Sequence, residues 1–163
     1  MMNINLAIME GTKVLQSNSI ESAHLDSEIL MTKVINKDRK YILLNSNNII
    51  PKKSLDLFRK LIKKRSNRTP IAQLTNKKFF WDSEFFVNED TLIPRPDTEI
   101  IVENVLKFTK YKNKLNILDI GVGSGCILIS ILKEKLNFYG TGIDICKKCL
   151  NITQLNAINI GVN

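Results

Sequence analysis

The feature that most limits what this chain can fold into is a glycine-rich turn. Asp119-Ile120-Gly121-Val122-Gly123-Ser124-Gly125 sits between two apolar runs, Leu115 to Ile120 and Ile127 to Leu132. Glycine at alternate positions lets the backbone adopt left-handed conformations and pass close to a ligand. The first run reads as a buried strand and the second as the start of a helix. Phe138 to Ile143 reads as a second strand, ending at Asp144, 23 positions after Gly121. Ile145 to Ala157 reads as a second helix. A strand, a helix and a strand of these lengths predict a right-handed parallel crossover, so this half is α/β.

The same residues fit a site for an adenosine-containing cofactor. A helix start offers free N–H groups, and a carboxylate ending the second strand can accept hydrogen bonds from both ribose hydroxyls. The spacing separates cofactors. A dinucleotide turn is G-x-G-x-x-G, with the pyrophosphate at the helix start. Here the third glycine comes one residue early, and Asp119 stands two before the first. That carboxylate repels a pyrophosphate but can order the loop or meet a cation. S-adenosylmethionine carries a sulfonium and an ammonium and no phosphate, so it fits better. The candidate cofactor residues are Asp119, Gly121, Val122, Gly123, Ser124, Gly125 and Asp144. The competing reading is a glycine turn without a ligand.

The first 68 residues read as helices. Leu6, Met9, Val14 and Leu15 form a loose stripe, and Leu25, Ile29, Leu30, Val34 and Ile35 a better one. Tyr41 to Leu44 is a short apolar segment and Asn45 to Asn48 a loop. Pro51 suits a first helical turn, with Leu55, Phe58, Leu61 and Ile62 on one face. The character changes near Arg68-Thr69-Pro70. Lys78 to Trp81 and Glu84 to Val87 read as aromatic strands about an Asp82-Ser83 turn, covering a seam between domains. Pro94 and Pro96 hold Arg95 extended. Asp97 then reads as an N-cap for a helix burying Ile100, Ile101, Val105 and Phe108.

The 163 residues carry a formal net charge of +8, from 24 Lys and Arg against 16 Asp and Glu. Only five of the basic residues are Arg, the better tool for phosphate. The stretch Lys52 to Arg68 is locally basic. It reads as a solvated helix face, with a steering surface for an acidic or RNA-rich partner as the alternative. Direct nucleic-acid binding is not expected. No apolar stretch reaches membrane-span length, and no basic segment precedes the first apolar residues, so no membrane or export role is expected. Three cysteines without an export signal point to a reducing cytoplasm. Cys146-Lys147-Lys148-Cys149 reads as the start of the helix after the second strand, with a redox pair, whose spacing it has, as the alternative. A metal site is not expected, because Cys126 and His24 lie far off in sequence.

Several stretches in order carry a family likeness: Asp26-Ser27-Glu28-Ile29-Leu30, Arg68-Thr69-Pro70-Ile71-Ala72-Gln73-Leu74-Thr75, Leu92-Ile93-Pro94-Arg95-Pro96-Asp97-Thr98-Glu99, and Leu118-Asp119-Ile120-Gly121-Val122-Gly123-Ser124-Gly125. Together they resemble the release-factor glutamine methyltransferases of the HemK/PrmC type, over essentially the whole chain. The resemblance implies a small N-terminal helical bundle (1–69) that docks a release factor, and a β-hairpin linker (70–96). It implies, in 97–163, the first β-α-β-α part of a Rossmann-like class I methyltransferase domain. The implied reaction moves a methyl group from S-adenosylmethionine to the glutamine amide nitrogen of a Gly-Gly-Gln loop in peptide chain release factors. Gly121 to Gly125 would line the cofactor's methionine end and Asp144 would hold its ribose. Pro94, Arg95 and Pro96 would border the substrate.

The family's Asn-Pro-Pro-Tyr motif has no counterpart, since the only prolines are Pro51, Pro70, Pro94 and Pro96. That motif accepts the two amide protons and aims the nitrogen lone pair. No catalytic residue is therefore assigned. The expectation is an incomplete, truncated and inactive piece, with a possible complementing C-terminal chain and an unpaired strand edge. Two alternatives stand beside it: a non-catalytic module that binds a release factor or another partner, and a piece of a nucleic-acid amino-methyltransferase. The Pro-Arg-Pro-Asp-Thr-Glu stretch favours the release-factor family.

Overall fold

Asn3 starts the first helix. In a computed structural model, which describes residues 2–162, its side-chain oxygen accepts the Leu6 amide at 2.8 Å and opens α1, Ile4–Ser17. Asp38 plays the same part for α3, Arg39–Leu44, accepting the Tyr41 amide at 2.7 Å. Each cap satisfies a backbone donor that the helix itself cannot. With α2 (Ala23–Ile35), α4 (Lys52–Ser66) and α5 (Ile71–Thr75), they form one compact unit, Met1–Thr75.

Its core draws Ala7, Ile8 and Leu15 from α1, Leu30 and Met31 from α2, Ile42 from α3, and Phe58, Leu61 and Ile62 from α4. The α4 face is the expected one. The expected α1 stripe is out of phase: Leu15 is buried, but Leu6, Met9 and Val14 are exposed. Ala7, Gly11 and Thr12 take the inner face instead, because α4 packs close there. A Cβ on Gly11 would lie 2.8 Å from Ile62 Cδ1 and 2.9 Å from Phe58 Cζ. On α2, Leu25 is likewise exposed, and the acids Asp26 and Glu28 are buried. Both are paired: Arg65 Nε lies 2.7 Å from Asp26, and Arg39 Nη2 lies 2.8 Å from Glu28. Ion pairing makes burial of these carboxylates tolerable.

The second unit is Asn76–Asn163. Its hairpin is shorter than the sequence pattern predicts. β1 (Lys78–Phe80) and β2 (Ser83–Phe85) are antiparallel, with Phe80 opposite Ser83. The turn is therefore Trp81-Asp82, not Asp82-Ser83. Trp81 sits at φ 56°, the left-handed geometry of a tight two-residue turn. Phe80 and Phe85 meet edge to face at 6.1 Å and join this unit's own core with Val102, Ile129, Ile131 and Phe138.

Asp97 is not the N-cap. It lies inside a 3₁₀ turn, Pro96–Thr98, which leads into α6, Glu99–Phe108. Of that helix's apolar residues only Val102 is fully buried, while Ile100, Ile101 and Phe108 are exposed. β3 (Asn116–Ile120) and β4 (Tyr139–Ile143) pair in parallel, with Asp119 opposite Gly142 and Ile120 opposite Ile143. α7 (Cys126–Glu134) connects them, and α8 (Lys147–Ile160) follows. The order is thus α/β with a small parallel sheet.

β3 is not buried as its composition predicts. One sheet face is covered by α7, where a Cβ on Gly140 would come within 2.6 Å of Leu132 Cδ1. The alternate residues Leu118, Ile120, Tyr139 and Ile143 share the other face and are exposed. Strand composition foretold cover on both faces; the described residues supply it on one. Among them, no helix is long and apolar enough to cross a membrane.

Candidate functional site

The glycine turn forms because its hydrogen bonds require it. Gly121 and Val122 both donate to the Ile143 carbonyl, at 2.8 and 3.0 Å, extending the sheet into the loop. Gly125 donates to Val122 at 2.8 Å, and its own carbonyl receives the Ile129 amide of α7 at 2.9 Å. Gly121, Gly123 and Gly125 lie at φ 85°, 58° and 82°, which L side chains resist. Their surroundings differ. A Cβ on Gly125 would lie 2.6 Å from Ile129 Cδ1 and 2.8 Å from Thr153 Cγ2, whereas one on Gly121 would meet nothing within 4 Å. Gly125 is thus glycine for packing as well as conformation. Gly121 is the open side of the loop.

The other loop residues look inward. Val122 and Ser124 are buried, Val122 against Gly142. Val122 and Ser124 therefore support the loop from beneath, and its outward surface is backbone at Gly121 and Gly123.

Two acids flank the loop. Asp144 follows β4, and its carboxylate accepts the Gly123 amide at 2.9 Å and the Cys146 amide at 2.8 Å, one on each oxygen. Those backbone donors hold it below the usual carboxylate range, so it is ionised at neutral pH. Each oxygen keeps a lone pair for a further donor. Asp119 is the penultimate residue of β3, and its carboxylate bonds the Leu128 amide in the first turn of α7. Burial, and then the charge of Asp144, raise its pKa, while the Leu128 amide favours its ion.

Two polar residues of α8 hold the loop in place, and the sequence pattern does not single them out. Thr153 donates its hydroxyl to the Gly123 carbonyl at 2.9 Å. Asn156, with no exposed surface, donates to the Ser124 carbonyl at 2.8 Å and the Phe86 carbonyl at 3.0 Å. Its oxygen accepts the Phe86 amide at 2.7 Å. Their signal lies in α8's own period: Cys149, Ile152 and Asn156 form its buried stripe, and an Asn there needs partners.

Pro94 is buried, while Arg95 and Pro96 are exposed. Arg95 is extended, at φ −98° and ψ 144°, as its flanking prolines predict. The segment before it is tied to the start of α8. Asp90 accepts Lys148 Nζ at 2.8 Å on its carboxylate and Cys149 Sγ at 3.1 Å on its carbonyl. A cleft of about 700 Å³ lies elsewhere, lined by Asp82, Ser83, Lys133 and Ile160 among others. Lys133 already bonds Asp82 and Ser83 there, each at 2.8 Å. In the helical unit, the basic stretch is α4. Two of its cations are engaged, Arg59 with Glu10 and Arg65 with Asp26. His24 is exposed beside Glu28.

Known proteins resemble this chain over most of its length. Residues 7–75 match the family model described as the PrmC N-terminal domain. The chain is 38% identical over 154 residues to a release factor glutamine methyltransferase of Leptospira interrogans, covering 94% of this chain and 54% of that protein. It is 33% identical to one of Shewanella oneidensis, covering 87% and 49%. A bifunctional methyltransferase of Rickettsia conorii is 33% identical, covering 95% of this chain and 34% of its own length. The chain spans about half the length of the release factor glutamine methyltransferases that it matches.

Proposed function

We propose that this chain, which belongs to the release factor glutamine methyltransferase family, supplies the cofactor-holding part of a methyltransferase acting on peptide chain release factors. One observation carries this reading: the ionised Asp144 accepts the Gly123 amide of a glycine loop in which a Cβ on Gly121 would meet nothing within 4 Å. The donor set suits S-adenosylmethionine. Asp144 keeps acceptor capacity for ribose hydroxyls, Gly121 and Gly123 present backbone without side chains, and the two acids complement a cation. When bound, that cofactor supplies an electrophilic methyl group on a sulfonium.

The chain's own residues have narrower tasks. Asp144 accepts ribose hydroxyls while bracing Gly123. Gly121 to Gly125 border the methionine end, with Asp119 fixing the start of α7. Asn156 and Thr153 hold the loop's shape. Pro94, Arg95 and Pro96 lie on the substrate side. In this reading 97–163 is the opening β-α-β-α part of a Rossmann-like domain, 70–96 is a linker, and the bundle of 1–69 docks the release factor in the cytoplasm.

The groups that orient the glutamine amide lie outside these 163 residues, because no Pro-Pro pair occurs among them. The exposed face of Leu118, Ile120, Tyr139 and Ile143 is where the rest of such a domain would pack, in the same chain or a complementing one. The test is methyl incorporation into the Gly-Gly-Gln glutamine of a release factor. The 163 residues alone are expected to incorporate none. The same residues joined to the remaining half of the Leptospira interrogans relative are expected to incorporate it. Transfer by the 163 residues alone would overturn the division of labour, and no transfer by the joined protein would overturn the reading.

A further inference from the structure

The cysteine pair of α8 has no part in that reading. Cys146 is the N-cap of α8 and Cys149 lies in its first turn, so residues three apart bring their sulfurs to one side. The described cysteines are all free thiols, and their surroundings divide the labour of a reactive dithiol between these two. Cys146 is partly exposed, and the Cys149 and Lys148 amides point at its sulfur. They hold its thiol below the ordinary range, against an opposing push from the Asp144 carboxylate. Cys149 is buried and pushed up to about 11, chiefly by that burial. Its single S–H proton has two acceptors, the Cys146 sulfur and the Asp90 carbonyl at 3.1 Å. Cys126, at the start of α7, is raised by burial and stands apart from the pair in sequence.

We propose that Cys146 and Cys149 form a thiol–disulfide exchange site for low-molecular-weight disulfides, with Cys146 as the attacking sulfur and Cys149 as the resolving one. The Cys146 thiolate attacks one sulfur of the small disulfide, forming a mixed disulfide and expelling one small thiolate. Cys149 then gives its proton to a departing thiolate and attacks Cys146 Sγ, expelling the second. Two protein thiols are oxidised to one disulfide, and one small disulfide is reduced to two thiols. An oxidised Cys149 has no proton to donate, so the bond to the Asp90 carbonyl is lost. At Asp90 the segment leading to Pro94-Arg95-Pro96 then keeps the Lys148 ion pair and loses its bond from Cys149. The proposal does not depend on the cofactor reading.

The test uses the 163-residue chain, glutathione disulfide and mass spectrometry of intact and digested protein. A loss of about 2 Da is expected, with Cys146 linked to Cys149 and Cys126 still free. Cys149→Ser is expected to stop as a stable glutathione adduct on Cys146, and Cys146→Ser to react at least about tenfold more slowly. A glutathione adduct persisting on Cys146 in the unsubstituted chain would overturn the proposal, as would faster reaction at Cys126. A second readout needs no variant: native alkylation by iodoacetamide is expected to label Cys146 first, and labelling of Cys126 or Cys149 first contradicts it. Hydrogen exchange at residues 88–92 is expected to quicken in the oxidised chain, and unchanged protection would remove the tether from the proposal.

Discussion

The two units bury their apolar residues differently. The helical unit closes a core on itself: its helices contribute Ala7, Leu15, Leu30, Met31, Ile42 and Phe58 at almost no exposure, and its buried acids are paired. The second unit leaves apolar surface open. Ile120 is 75% exposed and Phe108 84%, in a strand and a helix of composition suited to a core. A helix bundle completes its burial among sequence neighbours, whereas a parallel sheet needs layers on both faces and draws them from distant chain. The first unit is therefore organised for stability within 75 residues. The second holds a loop geometry ready while its sheet is covered on one side.

That contrast can be broken by mutation, most strongly in the bundle. Phe58→Ala should cost about 4 kcal/mol in urea unfolding followed by circular dichroism, since it empties a site against Gly11. Ile120→Ala, a deletion of similar type on the open sheet, should change stability by less than about 0.5 kcal/mol. Equal losses would erase the distinction. Asp26→Ala should cost about 3 kcal/mol in the same assay, because it strands the mostly buried Arg65 guanidinium. Glu10→Ala, which breaks the exposed pair with Arg59, should cost far less.

Within the second unit, Asn156→Ala should cost about 2 kcal/mol and quicken hydrogen exchange at Phe86, whose amide loses its acceptor. The pH dependence is smaller and has a definite sign. Asp119 is raised in the folded state, so above the ordinary carboxylate range the folded chain binds more protons than the unfolded one. Its contribution therefore declines as pH rises from that range through its raised folded value. Asp144 is lowered and acts oppositely, losing its contribution as pH falls through its folded value. Melting temperatures across mildly acid pH should decline less for Asp119→Asn than for the parent, and an equal decline would remove the burial argument.

What the sequence made legible follows local physics. The alternate glycines made the turn legible, because it rests on backbone geometry within a few residues, and the strand, helix and strand pattern made the parallel pair legible. The phase of α1 was not legible. Leu6 and Met9 are apolar like Ile4 and Ile8, and the packing of α2 and α4 against α1, close at Gly11, decides which row turns inward. The hairpin turn moved by one residue because Trp81 takes a left-handed conformation that its type does not advertise. The inward Asn156 was missed because its partners, Phe86 and Ser124, are 70 and 32 residues away.

The most direct test bears on Asp144. In the protein joined to the remaining half of its Leptospira interrogans relative, Asp144→Asn should raise the KM for S-adenosylmethionine at least about tenfold, through the loss of charge-assisted bonds to ribose, with kcat little changed. An unaltered KM in a variant that melts at the parent temperature would show that Asp144 braces Gly123 and holds no cofactor.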